Sequence, residues 1–170
     1  MLRCHALIPA FLVVAIQLMA LDLSICKGRP GVIDPMTETE FQRELARIAV
    51  RSGIEATFHP CSERAVVKLH ITESGSPEEP SALGSAVRKG GRIEPIITIF
   101  AGPIAQLVGT RLPYLHGVAM ARIAAHELGH YLRQDSSHDR DGGIMSARLS
   151  GPKLIAPHDF RIALVPRPPE

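Results

Sequence analysis

Residues Tyr114 to Arg133 read YLHGVAMARIAAHELGHYLR. Within them Val118, Ala121, Ala125, Leu128 and Leu132 recur three and four apart, the spacing that lines one side of an α-helix. The C-terminal half of this candidate helix holds His126-Glu127-Leu128-Gly129-His130. Positions i and i+4 share a helical face, so His126 and His130 can reach one metal ion. Zinc takes neutral imidazole nitrogen and prefers tetrahedral coordination. Glu127 follows the first histidine and is placed to act as general base on a water that zinc makes acidic.

A catalytic zinc needs a third protein ligand and one open position. No Glu lies between Glu127 and Glu170, which argues against the class that takes its third ligand from a Glu on a second helix. The helix itself offers only Arg133, Gln134 and Ser137 beyond His130, and none is a good zinc ligand. The ligand is therefore expected from the following loop. His138 is the foremost candidate, with Asp135, Asp139 or Asp141 as alternatives. Gly142-Gly143 just beyond leaves the backbone free to swing.

Outward from this helix the chain alternates element types. Thr37 with Glu40 three residues on predicts a capped helix through Ser52-Gly53. Ile54 to Phe58 and Ala65 to Thr72 read as strands, the second half-buried with Val67, Leu69 and Ile71 on one face. Glu73 to Gly91 is polar and rich in Gly, Pro and Ser, and reads as a loop. Arg92 to Phe100 reads as a strand, and Pro95 within it points to a sheet edge. Ile104 to Val108 is a helical turn, Gln134 to Pro152 a loop, and Pro157 to Val165 a closing helix. This order predicts an α+β domain with a small mixed sheet.

The N-terminal segment has a different character. Arg3 and His5 precede an uncharged apolar run that Asp22 ends, the layout of a secretory signal peptide. The expected division is a signal over 1–26, cut after Ala20 or Cys26, a leader over 27–36, the domain over 37–166 and a tail over 167–170. An uncleaved anchor is the alternative, although the run is shorter than the ~20 apolar residues a membrane span needs. The expected location is secreted or periplasmic, with no stable membrane insertion after signal removal. Cys4 and Cys26 belong to the signal on this reading, so Cys61 has no certain partner. Of 170 residues, 45% are apolar and 21% charged, and the net charge is +2. That excludes a mostly disordered chain and gives no reason to expect a nucleic-acid partner.

HELGHYLRQDSSHDRDGGIM resembles the metzincin zinc-peptidase signature, in which the helix motif is followed by a third histidine and a Met-turn. His126, Glu127 and His130 match its first functional positions. Ile144-Met145-Ser146 is similar to the Met-turn, and Pro157 through Val165 to the closing helix of matrixin-like members. The resemblance implies a small twisted mixed sheet with an antiparallel edge strand, a zinc-binding active-site helix, a Met-turn and a C-terminal helix. It also implies a zinc metalloendopeptidase acting on protein or peptide substrates, with His126, His130 and His138 on Zn2+ and Glu127 as base. Two positions depart from the pattern. Arg133 stands where the family has glycine, and Ser136 where it has the third histidine. His138 then requires a loop longer by two residues. The alternative these departures suggest is a catalytically inactive module of the same fold that binds metal or peptide. His59, His70, His116 and His158 read as ordinary sheet, loop or cap histidines.

Overall fold

The structure, a computed structural model, describes residues 19–27, 32–61, 65–139 and 143–164. Along them run β1 (Met19–Lys27), α1 (Pro35–Arg51), β2 (Ile54–Pro60), β3 (Val67–Thr72), β4 (Gly84–Lys89), β5 (Arg92–Phe100), α2 (Ala101–Val108), α3 (Pro113–Arg133) and α4 (Gly151–Ile155). The strands form one mixed sheet in the order β2-β1-β3-β5-β4. β1 runs parallel to β2 and β3, β3 parallel to β5, and β4 antiparallel to β5. This is the expected α+β class with a mixed sheet and an antiparallel strand at its edge.

β1 corrects the expected domain start at residue 37. Leu21, Leu23, Ser24, Ile25 and Cys26 are all buried, and the strand joins β2 to β3. Parallel strands covered on both faces are near-continuous apolar runs. The expected signal over 1–26 overlaps this strand at residues 19–26, where its uncharged run ends at Asp22. Cleavage after Cys26 would remove the strand that joins β2 to the rest of the sheet; residues 1–18 lie outside the described residues. Cys61 also gains a partner, a disulfide to Cys26 at a Cα–Cα distance of 4.5 Å that ties the ends of β1 and β2. Among the described residues no helix is long and apolar enough to cross a membrane.

The sheet edge differs as well. β5 is interior, between β3 and β4, and β4 arises from the stretch read as loop. Pro95 is tolerated because the β3 pairing begins only at Ile96, and the β4 pairing is irregular between Ala86 and Arg88. No ladder hydrogen bond is therefore asked of the missing N–H.

Helices α1 and α3 pack together, α1 against β2 and α3 against β5 and β4. Asp34, rather than Thr37, caps α1: its carboxylate accepts from the backbone N–H of Met36 and Thr37 at 3.0 Å each. α1 buries Phe41, Leu45 and Ile48. A buried ion pair joins the helices. Arg122 Nε donates to Glu44 Oε1 at 3.0 Å, and its Nη1 donates to the carbonyls of Lys153 and Ala156 at 3.1 and 2.7 Å. Arg47 donates to the same carboxylate through two nitrogens at 2.7 Å.

The expected closing helix is absent from residues 157–164, which run without regular structure. A short helix, α4, precedes them and stops at Ala156. The ring of Pro157 forces the residue before it into extended backbone, and Ala156 has ψ 153°. Phe160 and Ile162 are buried all the same, at 5% and 2% exposure.

Candidate metal centre

α3 brings its two histidines together as the spacing predicts. His126 Nε2 and His130 Nε2 lie 3.1 Å apart. The His138 ring centroid is 5.1 Å from that of His126 and 4.9 Å from that of His130. One ligand atom from each of the three falls within 4.8 Å of the others, close enough to hold one metal ion. His126 and His130 are buried, while His138 reaches in from an exposed loop.

The second nitrogens decide what the first can do. His126 Nδ1 lies 2.8 Å from the carbonyl of Ile144, and His130 Nδ1 lies 2.8 Å from the carbonyl of Asp135. A carbonyl only accepts, so in each ring Nδ1 carries the proton and Nε2 carries the lone pair. Burial drives the His126 pKa down to about 4, helped by the neighbouring His130 and His138. Burial also holds His130 below its ordinary value. Both rings are thus neutral near pH 7, and two lone pairs face each other with no proton between them. Two nitrogens bound at 2.0–2.1 Å around a tetrahedral metal would sit about 3.3 Å apart. The donor chemistry and the spacing both fit a metal that takes imidazole nitrogen.

The other expected loop residues have different partners. Asp135 is exposed and accepts from the Ser137 backbone N–H at 2.8 Å. Asp139 accepts from Arg133 Nη1 at 2.9 Å. Ser136 is exposed and Asp141 lies outside the described residues. Among the described residues only His126, His130 and His138 form such a cluster. His116 is a core histidine, its Nε2 3.0 Å from the carbonyl of Ala101.

Two close approaches surround the cluster. Met145 is buried, and a Cβ on Gly129 would fall 2.2 Å from its sulfur. Its side chain therefore lies against the helix between the two histidines. On another side β4 passes over Glu127. A Cβ on Gly84 would lie 3.0 Å from Glu127 Cγ and 3.1 Å from Oε1. Burial beneath this strand pushes the Glu127 carboxyl up to about 7. A cavity of about 670 Å³ opens beside His126, lined in part by Leu83, Pro103, Leu107, Ile123 and Leu149.

Reading 73–91 as loop hid Gly84 and the strand that carries it. Gly90-Gly91 just before a β-branched run was the available signal. Both take positive φ, 57° and 79°, as a two-residue hairpin turn requires.

No protein-family model matches the sequence, and no match is found among curated proteins.

Proposed function

We propose that this chain is a secreted zinc-dependent metalloendopeptidase of metzincin type. The observation that carries the reading is the convergence of His126, His130 and His138, with the Nε2 atoms of His126 and His130 3.1 Å apart. Three imidazoles leave a fourth tetrahedral position open, which is the ligand set of a catalytic rather than a structural zinc. Ile144-Met145-Ser146 serves as the Met-turn, with Met145 as an apolar floor. The disulfide suits an oxidising compartment.

His126, His130 and His138 would hold the metal. Zinc bound there supplies a Lewis acid that polarises a carbonyl and acidifies water. Glu127 takes the proton from the attacking water and returns it to the leaving amine, a task suited to a carboxyl that titrates near neutral pH. Gly84 leaves room for that carboxylate beneath β4. The free edge of β4, rather than of β5, offers its backbone N–H and C=O groups to an extended peptide. The cavity beside His126 accepts an apolar side chain of that peptide.

Zinc content and casein cleavage, with and without a chelator, test the reading. The expected result is one zinc per chain and cleavage that the chelator abolishes. Glu127→Ala should keep the zinc and lose about 10²–10⁴-fold in rate, the typical worth of general-base catalysis. Zinc without cleavage in the parent chain would select the inactive binding module instead.

A further inference from the structure

The ligand loop is two residues longer than the pattern it resembles, and Arg133 replaces the glycine at its start. The structure shows what holds such a loop. Gln134 takes the left-handed turn, with φ 51°. Its side-chain amide grips β5: Nε2 donates to the Ile93 carbonyl at 2.9 Å, and Oε1 accepts from the Ile93 N–H at 3.1 Å. This anchors the chain before His138. After His138, Asp139 is anchored twice. Its N–H donates to the Met145 carbonyl at 2.8 Å, and its carboxylate accepts from Arg133 Nη1 at 2.9 Å. Met145 in turn packs on Gly129 of α3. The contacts thus form a ring from α3 through Arg133, Asp139 and Met145 back to α3. His138 is the residue immediately before the double anchor.

We propose that the Arg133–Asp139 ion pair is the positioning device that makes His138 the third metal ligand. The proposal rests on the metal centre described above and needs no peptidase activity. The Arg133 side chain is 11% exposed and that of Asp139 is 34% exposed, so solvent screens the pair less than it would a pair on the open surface. Closing the loop from Arg133 to Asp139 orders it in the metal-free chain. The metal then does not bear the entropy of ordering it, and affinity rises accordingly. Arginine here compensates for the glycine it replaces: the turn moves to Gln134, and the new side chain clamps the extra residues.

The probe is zinc alone, in competition with a chromophoric chelator, on the full chain as it folds with its disulfide. Arg133→Ala and Asp139→Ala should each weaken zinc about 10–100-fold, the range for groups that orient metal ligands. The metal-free proteins should melt close to the parent. The exchange Arg133→Asp with Asp139→Arg should recover most of the lost affinity. Substituted cobalt should give the intense visible absorption of a tetrahedral site in the parent and in the exchanged protein, and a weaker band in the single variants. Parental affinity in Arg133→Ala overturns the proposal, because a ligand role for Asp139 itself would not need the arginine. An exchanged protein as weak as the single variants also overturns it. His126→Ala separates this from the wider reading. If the parent binds zinc and His126→Ala does not, the metal centre stands whatever the ion pair does. A parent that binds no zinc removes both.

Discussion

Gly84→Ala tests whether β4 sets the position of the proposed base. The new Cβ would lie 2.8 Å from Ile123 Cγ2 and 3.0 Å from Glu127 Cγ. Carbon atoms prefer about 3.5–4.0 Å, so Glu127 must yield by about 0.5 Å. The Glu127 side chain can turn aside, and although the branched Ile123 is held in its helical rotamer, β4 is an edge strand that can shift away from it. The fold should therefore lose little, at the low end of the ~1–3 kcal/mol typical of overpacking. The chemistry is less forgiving. A misplacement of 1 Å costs about 10²-fold, so half of that predicts roughly a tenfold loss in kcat/KM, or about 1.4 kcal/mol. The assay is cleavage of a quenched peptide taken from a casein site, with zinc content and thermal melting measured on the same samples. Gly117→Ala is the contrasting variant. There the Cβ would meet the backbone carbonyl of Thr37 at 2.6 Å and the backbone nitrogen of Phe41 at 3.0 Å. Backbone cannot rotate aside, so this change should lower the melting temperature well beyond Gly84→Ala. Parental kcat/KM in Gly84→Ala, or a stability loss equal to that of Gly117→Ala, would refute the reasoning.

Three further outcomes follow from the packing. Glu44→Gln strips the counter-charge from Arg122, which is only 3% exposed, and should cost about 3–5 kcal/mol in urea unfolding; a loss under about 1 kcal/mol would show the pair to be dispensable. Burial holds the His116 pKa below 6.5 in the folded chain, against the opposing bond to Ala101. The stability this neutral ring contributes is fully present above the unfolded value of about 6.5 and is lost as pH falls from there through the lower folded value, so the difference in stability between the parent and His116→Gln should change below about pH 6.5 and stay constant above it. Opening the Cys26–Cys61 bond, which spans a sequence separation of 35, should cost about 2–4 kcal/mol, read as a lower melting temperature in reductant or in the paired serine variant.

The helix motif was legible because its chemistry is local. His126 and His130 are one turn apart on α3, and helical spacing alone aligns them. His138 was legible as the one histidine in the loop, yet the loop's course was not. It depends on Arg133 meeting Asp139 and on Gln134 meeting Ile93, and a pattern within one segment does not record contacts with distant partners. The sheet was misread at both of its ambiguous strands for opposite reasons. β1 falls at the end of the segment whose apolar run reads as an export signal, and β4 is so polar and glycine-rich that it resembles a loop. Pro95 suggested an edge because proline cannot donate to a ladder, but an irregular pairing also excuses it, and only the partner strand reveals that.

The place of β1 also bears on how the chain assembles. It is the first described element to be synthesised, yet both of its neighbours, β2 and β3, come later, after α1. Until they emerge, an apolar segment has no partner for either of its edges. Contacts this distant in sequence close slowly, because the intervening chain must be ordered first. Of the sheet's pairings only the β4–β5 hairpin is local in sequence, and β1 has both edges paired only once β2 and β3 are in place. The Cys26–Cys61 bond then holds in place a strand whose loss would detach β2 from the rest of the sheet.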